Sequence, residues 1–427
     1  MQKSLIATVV AAPMSLAPIT AFSADLPVVV EPIDYVRICD AYGSGFYFIP
    51  GTDTCLKISG RVRADYNVYN GNEATRTFTN IPDSDYRFRA RGYIYMDARS
   101  ATEFGLLRTY TELRFNRDND SNTGVDLYKA YINWGVLTFG RNESFYEFRD
   151  ILFSEDQQFE WAISKVETNL LTVNYKFGNG FSAGVSIEDA ATRNEAILGG
   201  TYAQVEIPDF VARVRAEGDW GKVQLSGATH YVESLGGTTA NAFANGRTAT
   251  RNQDKWGFAV SGAGFFNFDL GGRDVEIGAI ASYSQGVINY VGDDIFGGRC
   301  FGGCSNNAIN ARADAVIDTN GNLELADVWA VGGGFGVDVT DKIYFGFNAS
   351  YLEVDQANID TFALFNVGGA NNSADFDYSN TDVQGYLRYR PVRGLDFGVG
   401  VEYKHVDMKA DSDLDALSTF FRAQRTF

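Results

Sequence analysis

Histidine is nearly missing from this 427-residue chain, which has only His230 and His405. A histidine base therefore has few places to act. His405 falls on an apolar parity, and His230 has no G-x-S-x-G elbow beside it. No P-loop, dinucleotide fingerprint or H-E-x-x-H helix is present, so the sequence calls for no enzyme activity, no metal and no cofactor. Cysteine is sparse at four and proline at eight. Beyond the first residues, no apolar run reaches the ~18 residues that a membrane helix needs. Basic charge is also short, with 36 Lys and Arg against 54 Asp and Glu and a net charge of −18. That balance argues against a nucleic-acid partner, because phosphate binding needs a basic surface.

What the chain does have is aromatics and glycine. It carries 32 Phe, 23 Tyr and 45 Gly. Aromatic residues suit pleated sheets and Gly suits tight turns. The first residues read as an export signal. Lys3 supplies the positive region, Leu5 to Phe22 the apolar one, and Ala21 and Ser23 the small residues before a cut at Ala24. The expected organisation is a signal peptide over 1–23, an N-terminal extension over 24–55, and a β-barrel over 56–427.

Alternation is the main signal. From Leu56 to Val68, one parity reads Lys57, Ser59, Arg61, Arg63, Asp65, Asn67. The other reads Leu56, Ile58, Gly60, Val62, Ala64, Tyr66, Val68. This is period two over a long strand. Arg87, Arg89 and Arg91 then alternate with Phe88, Ala90 and Gly92, and Arg108, Glu112 and Arg114 with Leu107, Leu113 and Phe115. The same rule returns near Thr172, Ser182, Tyr344, Asp382 and Glu402. Tight turns at 178–180, 218–221, 270–273, 340–342 and 391–394 alternate with long polar links at 69–85, 142–169, 234–254, 292–322 and 355–379. Short turn, long loop, short turn is the pattern of an up-and-down barrel, and the count comes to about sixteen strands.

Periodicity alone does not tell inside from outside. A soluble secreted β-protein alternates as well. Three features favour the membrane. The alternation predicts strands nine to thirteen residues long, near the roughly nine to eleven that a tilted membrane strand needs. Like charges cluster on the polar parity, as a wet lumen permits. Apolar faces end in aromatics at Phe177, Trp256, Phe268, Tyr351 and Tyr403, as at a membrane interface. An Arg facing lipid would cost roughly 2–4 kcal/mol at the midplane, so the arginine parity is expected to point inward.

The segment Tyr35-Val36-Arg37-Ile38-Cys39-Asp40-Ala41-Tyr42-Gly43, followed by Gly45 to Leu56, resembles the start of mature alphaproteobacterial porins, the group that includes the Brucella and Bartonella porins. Thr111-Glu112-Leu113-Arg114-Phe115, Ala130-Tyr131-Ile132 and Gly178 to Ala183 are similar as well. The resemblance is strong over the first half and thins beyond Asp189. It implies an all-β, sixteen-stranded antiparallel transmembrane barrel whose third long loop folds into the lumen. It further implies a homotrimer in the outer membrane, acting as a general porin for passive diffusion of small hydrophilic solutes and ions. One departure is Arg425, at a position where other porins have an aromatic two residues before the last Phe.

The expected constriction has two sides. The basic wall is Arg61, Arg63, Arg87, Arg89, Arg91, Arg108, Arg114, Arg388 and Arg390. The third loop, after Gly140-Arg141, supplies Glu143, Glu147, Asp150, Glu155, Asp156 and Glu160. Acids facing arginines across a gap would make a transverse field that sets ion preference. A substrate-selective sugar channel is the nearest alternative, because Tyr93, Tyr95, Tyr110 and Tyr131 share the luminal parity. Cys39 with Cys55, and Cys300 with Cys304, are expected as disulfides in an oxidising compartment. Acidic stretches at Asp293-Asp294 and Asp411 to Asp415 are candidates for cation bridges to outer-membrane lipopolysaccharide.

Overall fold

The computed structural model describes residues 37–71, 86–119, 124–153, 163–198, 200–235, 252–292, 312–317, 322–356, 377–409 and 413–427. The chain divides into Met1–Arg37 and Ile38–Phe427, and the account below concerns the second unit. The expected signal over 1–23, the Cys300–Cys304 pair and Asp293-Asp294 lie outside the described residues.

Sixteen strands form the wall. They are β1 Cys55–Gly71, β2 Tyr86–Thr102, β3 Gly105–Asp118, β4 Gly124–Trp134, β5 Leu137–Glu143, β6 Glu167–Gly178, β7 Phe181–Glu188 and β8 Asp209–Gly218. They continue as β9 Gly221–Ser234, β10 Gln253–Asp269, β11 Asp274–Gln285, β12 Asp327–Thr340, β13 Ile343–Asp355, β14 Tyr378–Val392, β15 Leu395–Met408 and β16 Leu414–Thr426. Each pairs antiparallel with its predecessor, and β16 returns to β1, from Arg61 opposite Thr426 to Gly71 opposite Ala416. Closure pairs the backbone of the first and last strands. That is the condition for crossing hydrocarbon without unsatisfied amides.

The burial pattern settles which side faces out. On β9, Val223 and Leu225 are 38% and 64% exposed, whereas Gln224 and Ser226 are 6% and 3% exposed. Ile58 and Val62 on β1 are likewise exposed, while Arg63, Asp65 and Asn67 are buried. A soluble sandwich would do the reverse. Side chains this apolar, exposed all round the wall, match a lipid surround. Phe177, Trp256, Phe268 and Tyr403 sit on the exposed face, as their parity predicts.

Tight turns follow every even-numbered strand from β2 to β14, so they share one end. Two of them, at Glu103-Phe104 and Gly135-Val136, add to those read from sequence. At the β6–β7 turn, Gly178, Asn179 and Gly180 all have positive φ. A Cβ on Gly180 would strike the Glu217 carbonyl, so glycine is required there. Strand lengths run from seven residues in β5 to seventeen in β1, β2 and β10, a wider range than the alternation suggests. β5 is short because the chain leaves the wall after Glu143. At the loop end, Ile197–Leu198, Ala315–Ile317 and Leu323–Leu325 form a small separate sheet over Val232. At the turn end, Tyr47–Phe48 pairs with Leu56 and Cys55. The Cys39–Cys55 disulfide fastens this segment, with Cα atoms 6.0 Å apart.

Candidate functional site

Strands β1 to β4 and β16 present nine arginines on their inner parity: Arg61, Arg63, Arg87, Arg89, Arg91, Arg99, Arg108, Arg114 and Arg422. Asp65, Asp97, Glu112, Asp118 and Asp126 share that parity. The arginines are held in place by these acids and by rings. Asp97 takes Arg99 at 2.7 Å and Arg108 at 2.9 Å. Asp65 takes Arg422 at 2.7 Å and Arg63 at 3.1 Å. Arg89 meets Asp118 at 2.6 Å, and Arg114 meets Glu112 at 3.0 Å. Arg91 donates to Asn116 and, at 3.3 Å, to the Tyr93 hydroxyl. Arg61 lies over the Tyr93 ring, 3.9 Å from its centroid. Arg108 covers Tyr110 and Tyr131, which pack against each other at 5.4 Å. Such stacking fixes a guanidinium without cancelling its charge.

Two arginines expected on this wall lie elsewhere. Arg388, on β14, lies over Tyr344 at 4.4 Å. Arg390 pairs with Asp396 at 2.7 Å near the turn end. Conversely, Arg99 and Arg422 escaped the sequence reading. Their signal was present, since Arg99 continues the Arg87 parity and Arg422 follows the outward Phe421.

The three described loop acids pair away from the arginine wall. Glu143 lies 3.5 Å from Lys129 and 3.6 Å from Arg149. Asp150 pairs with Lys222 of β9. Glu147 is 1% exposed and takes Arg193 at 2.9 Å, together with the Ser164 hydroxyl at 2.6 Å. Glu155, Asp156 and Glu160 lie outside the described residues.

Segment 144–153 has specific seats. Gln224 and Ser226 of β9 donate to the Tyr146 carbonyl, each at 3.0 Å. Asn348 of β13 donates to the Ile151 carbonyl at 2.9 Å. Phe148, Ile151 and Phe153 pack with Ile280 and Phe265. A Cβ on Gly278 would come within 2.5 Å of the Ile151 side chain, and one on Gly346 would strike the Phe153 carbonyl. These glycines let the segment approach the wall closely.

A buried cluster braces the segment from the loop end. Arg193 donates to Ser164 and to the Asn289 carbonyl, both at 2.6 Å, and lies 3.9 Å over the Tyr290 ring. Burial pulls its pKa down, but Glu147, Tyr290 and Glu188 more than offset this, so it is held charged. His230 is fully buried and bonded to Asp209 at 2.8 Å, and Tyr290 donates to the same carboxylate at 2.9 Å. His405 pairs with Asp415 at 3.0 Å.

An acidic recess of about 670 Å³ opens at the turn end of β10 to β12. Asp269, Asp274, Glu276 and Asp338 line it, with Arg388 as the cation. In a closed ring of sixteen, β10 to β12 stand eight places from β2 to β4. The acidic wall therefore lies across the lumen from the arginines. Sequence reading missed this because these acids are spread over three strands and look like ordinary turn residues.

The sequence matches the Porin subfamily over residues 25–425. Porin Omp2b of Brucella neotomae is 30% identical over 278 residues, covering 57% of this chain and 75% of that protein. Porin Omp2b of Brucella suis biovar 1 is 30% identical over 267 residues, covering 55% and 72%. Among solved structures, the outer membrane channel DcaP of Acinetobacter baumannii superposes with a TM-score of 0.66. It is 17% identical and covers 89% of this chain and 99% of its own, a likeness of fold.

Proposed function

The chain belongs to the porin subfamily, and on that premise we propose a general diffusion pore whose transverse field runs between an arginine wall and an acidic wall. The barrel is an outer-membrane channel. The observation that carries the field is the opposition of the β1–β4 and β16 arginines to the acidic recess on β10 to β12. In this reading Arg61, Arg63, Arg87, Arg89, Arg91, Arg108 and Arg114 form the basic side. Segment 144–153 narrows the lumen, with Glu143 and Asp150 adding to the acidic side and Glu147 acting as a strut.

Three barrels per assembly, contact with lipid and lipopolysaccharide, passage of small hydrophilic solutes and the lack of catalysis belong to the same reading. The enclosure of His230 with Asp209 and Tyr290 supports the last point, since no solute reaches its ring. The sugar-channel alternative has less support. Its aromatic faces are taken, with Tyr93 only 3% exposed beneath Arg61 and with Arg108 over Tyr110 and Tyr131.

The test is current recording across a planar lipid bilayer under a salt gradient. Long-lived openings, in steps of three, are expected. Arg61→Gln should lower the anion-to-cation permeability ratio. A unit charge roughly 10 Å from the ion path in water is worth about 0.4 kcal/mol, or about a factor of two. Silence from folded protein would overturn the open pore.

A further inference from the structure

Arg425 is left unused by the channel. It shares the outward parity of Phe421 and Phe427, opposite Leu395 on β15 and Val62 on β1. An arginine on that face is costly at the bilayer midplane and cheap at the interface. Leu395 is the first residue after a turn, so Arg425 stands at headgroup level on the turn side, the periplasmic side of such barrels.

The wall is notched at this point. β16 ends at Thr426 opposite Arg61, while β1 continues to Cys55. Phe427 exchanges two backbone hydrogen bonds with Gly60, at 2.9 and 3.0 Å. Beyond it a cavity of about 860 Å³ opens. Lys57, Arg390, Arg393 and Arg425 line it. The acidic side chain there is Asp396, paired with Arg390 at 2.7 Å. Lys57 gives one donor to the Ser44 carbonyl at 3.2 Å, and Arg425 gives one to the Arg393 carbonyl at 2.8 Å. A guanidinium has five N–H donors and an ammonium three, so capacity for an anion remains. Ile58 and Phe427 line the same cavity and are 55% and 68% exposed. A basic pocket edged by apolar side chains at headgroup level fits an amphiphile with an anionic head.

We propose that this notch binds the phosphate headgroup of an anionic phospholipid of the periplasmic leaflet. Arg393 and Arg425 hold the phosphate, and Ile58 and Phe427 lie along the start of the acyl chains. Phosphate and guanidinium match in charge and fork geometry.

The experiment is native mass spectrometry of the delipidated full chain, titrated with phosphatidylglycerol or phosphatidylcholine. The folded protein should retain phosphatidylglycerol in preference. Arg393→Ser with Arg425→Phe should weaken that binding about thirtyfold, which is about 2 kcal/mol at 1.4 kcal/mol per decade and matches two bases at an anionic lipid surface. Arg425→Lys should keep most of it. If the double variant does not fold, Arg393→Ser alone, on an exposed turn, carries the test with a smaller loss. Equal retention of the two lipids, or unchanged binding in the variants, overturns the proposal. Full displacement by millimolar inorganic phosphate also overturns it and assigns the notch to free anions. Bilayer conductance of the same variants should match the parent, which separates loss of lipid from loss of the channel.

Discussion

Glu147 and Arg193 are enclosed together, and each is the other's main compensation. Removing one partner of a buried pair leaves an uncompensated charge and costs about 3–5 kcal/mol, whereas removing both costs far less. Glu147→Gln and Arg193→Met should each raise amide hydrogen exchange over residues 144–153 and add noise to the open-channel current. The double variant should lie closer to the parent than either single one. Parent-like exchange in both single variants would show that the segment is held by its wall contacts alone. Glu147 looks like a constriction acid in the sequence because Glu143 and Asp150 flank it. Its immediate neighbours Phe145, Tyr146 and Phe148 were the opposing sign, since such side chains seek burial.

The strands β11 to β13 do more than close the ring. Gly278 and Gly346 leave their inner surface bare where Ile151 and Phe153 lie. Gly346→Val would suit the strand itself, because β-branched residues favour sheets. It would also overpack against the Phe153 carbonyl, at a cost of about 1–3 kcal/mol. The barrel should still assemble, seen as heat-modifiable migration on a gel. Single-channel conductance should fall, because the segment is pushed off the wall toward the lumen. An unchanged conductance would place segment 144–153 outside the limiting cross-section. These glycines were visible in the sequence only as gaps in the alternation. Nothing local says that another segment fills them.

Across the whole barrel, the proposed pore has two charged walls acting on one water column. Arg61→Gln and Glu276→Gln should shift the reversal potential in opposite senses. Arg61 rests on a ring rather than a carboxylate, and Glu276 keeps its Tyr344 partner as Gln. The double variant should return close to the parent value, because the two losses add with opposite sign at the ion path. A double variant that keeps the full shift of one single variant would mean that only one wall borders that path.

The sequence by itself determined that the chain is a meander of strands, roughly how many there are, and which side chains share a face. Alternation is a local property, since each side chain's face follows from that of its neighbour. That is why Arg388 shares the inner parity of Asp382 and Gln384 on β14. Only the tertiary structure decided who meets whom. Asp65 holds Arg422, 357 residues away, because β16 closes on β1. Glu147 meets Arg193 because two segments at the loop end fold over one another. The acidic wall faces the arginines because a closed ring sets strands eight places apart opposite each other. Partners across a ring are fixed by closure and register, and neither is written in any short stretch of chain.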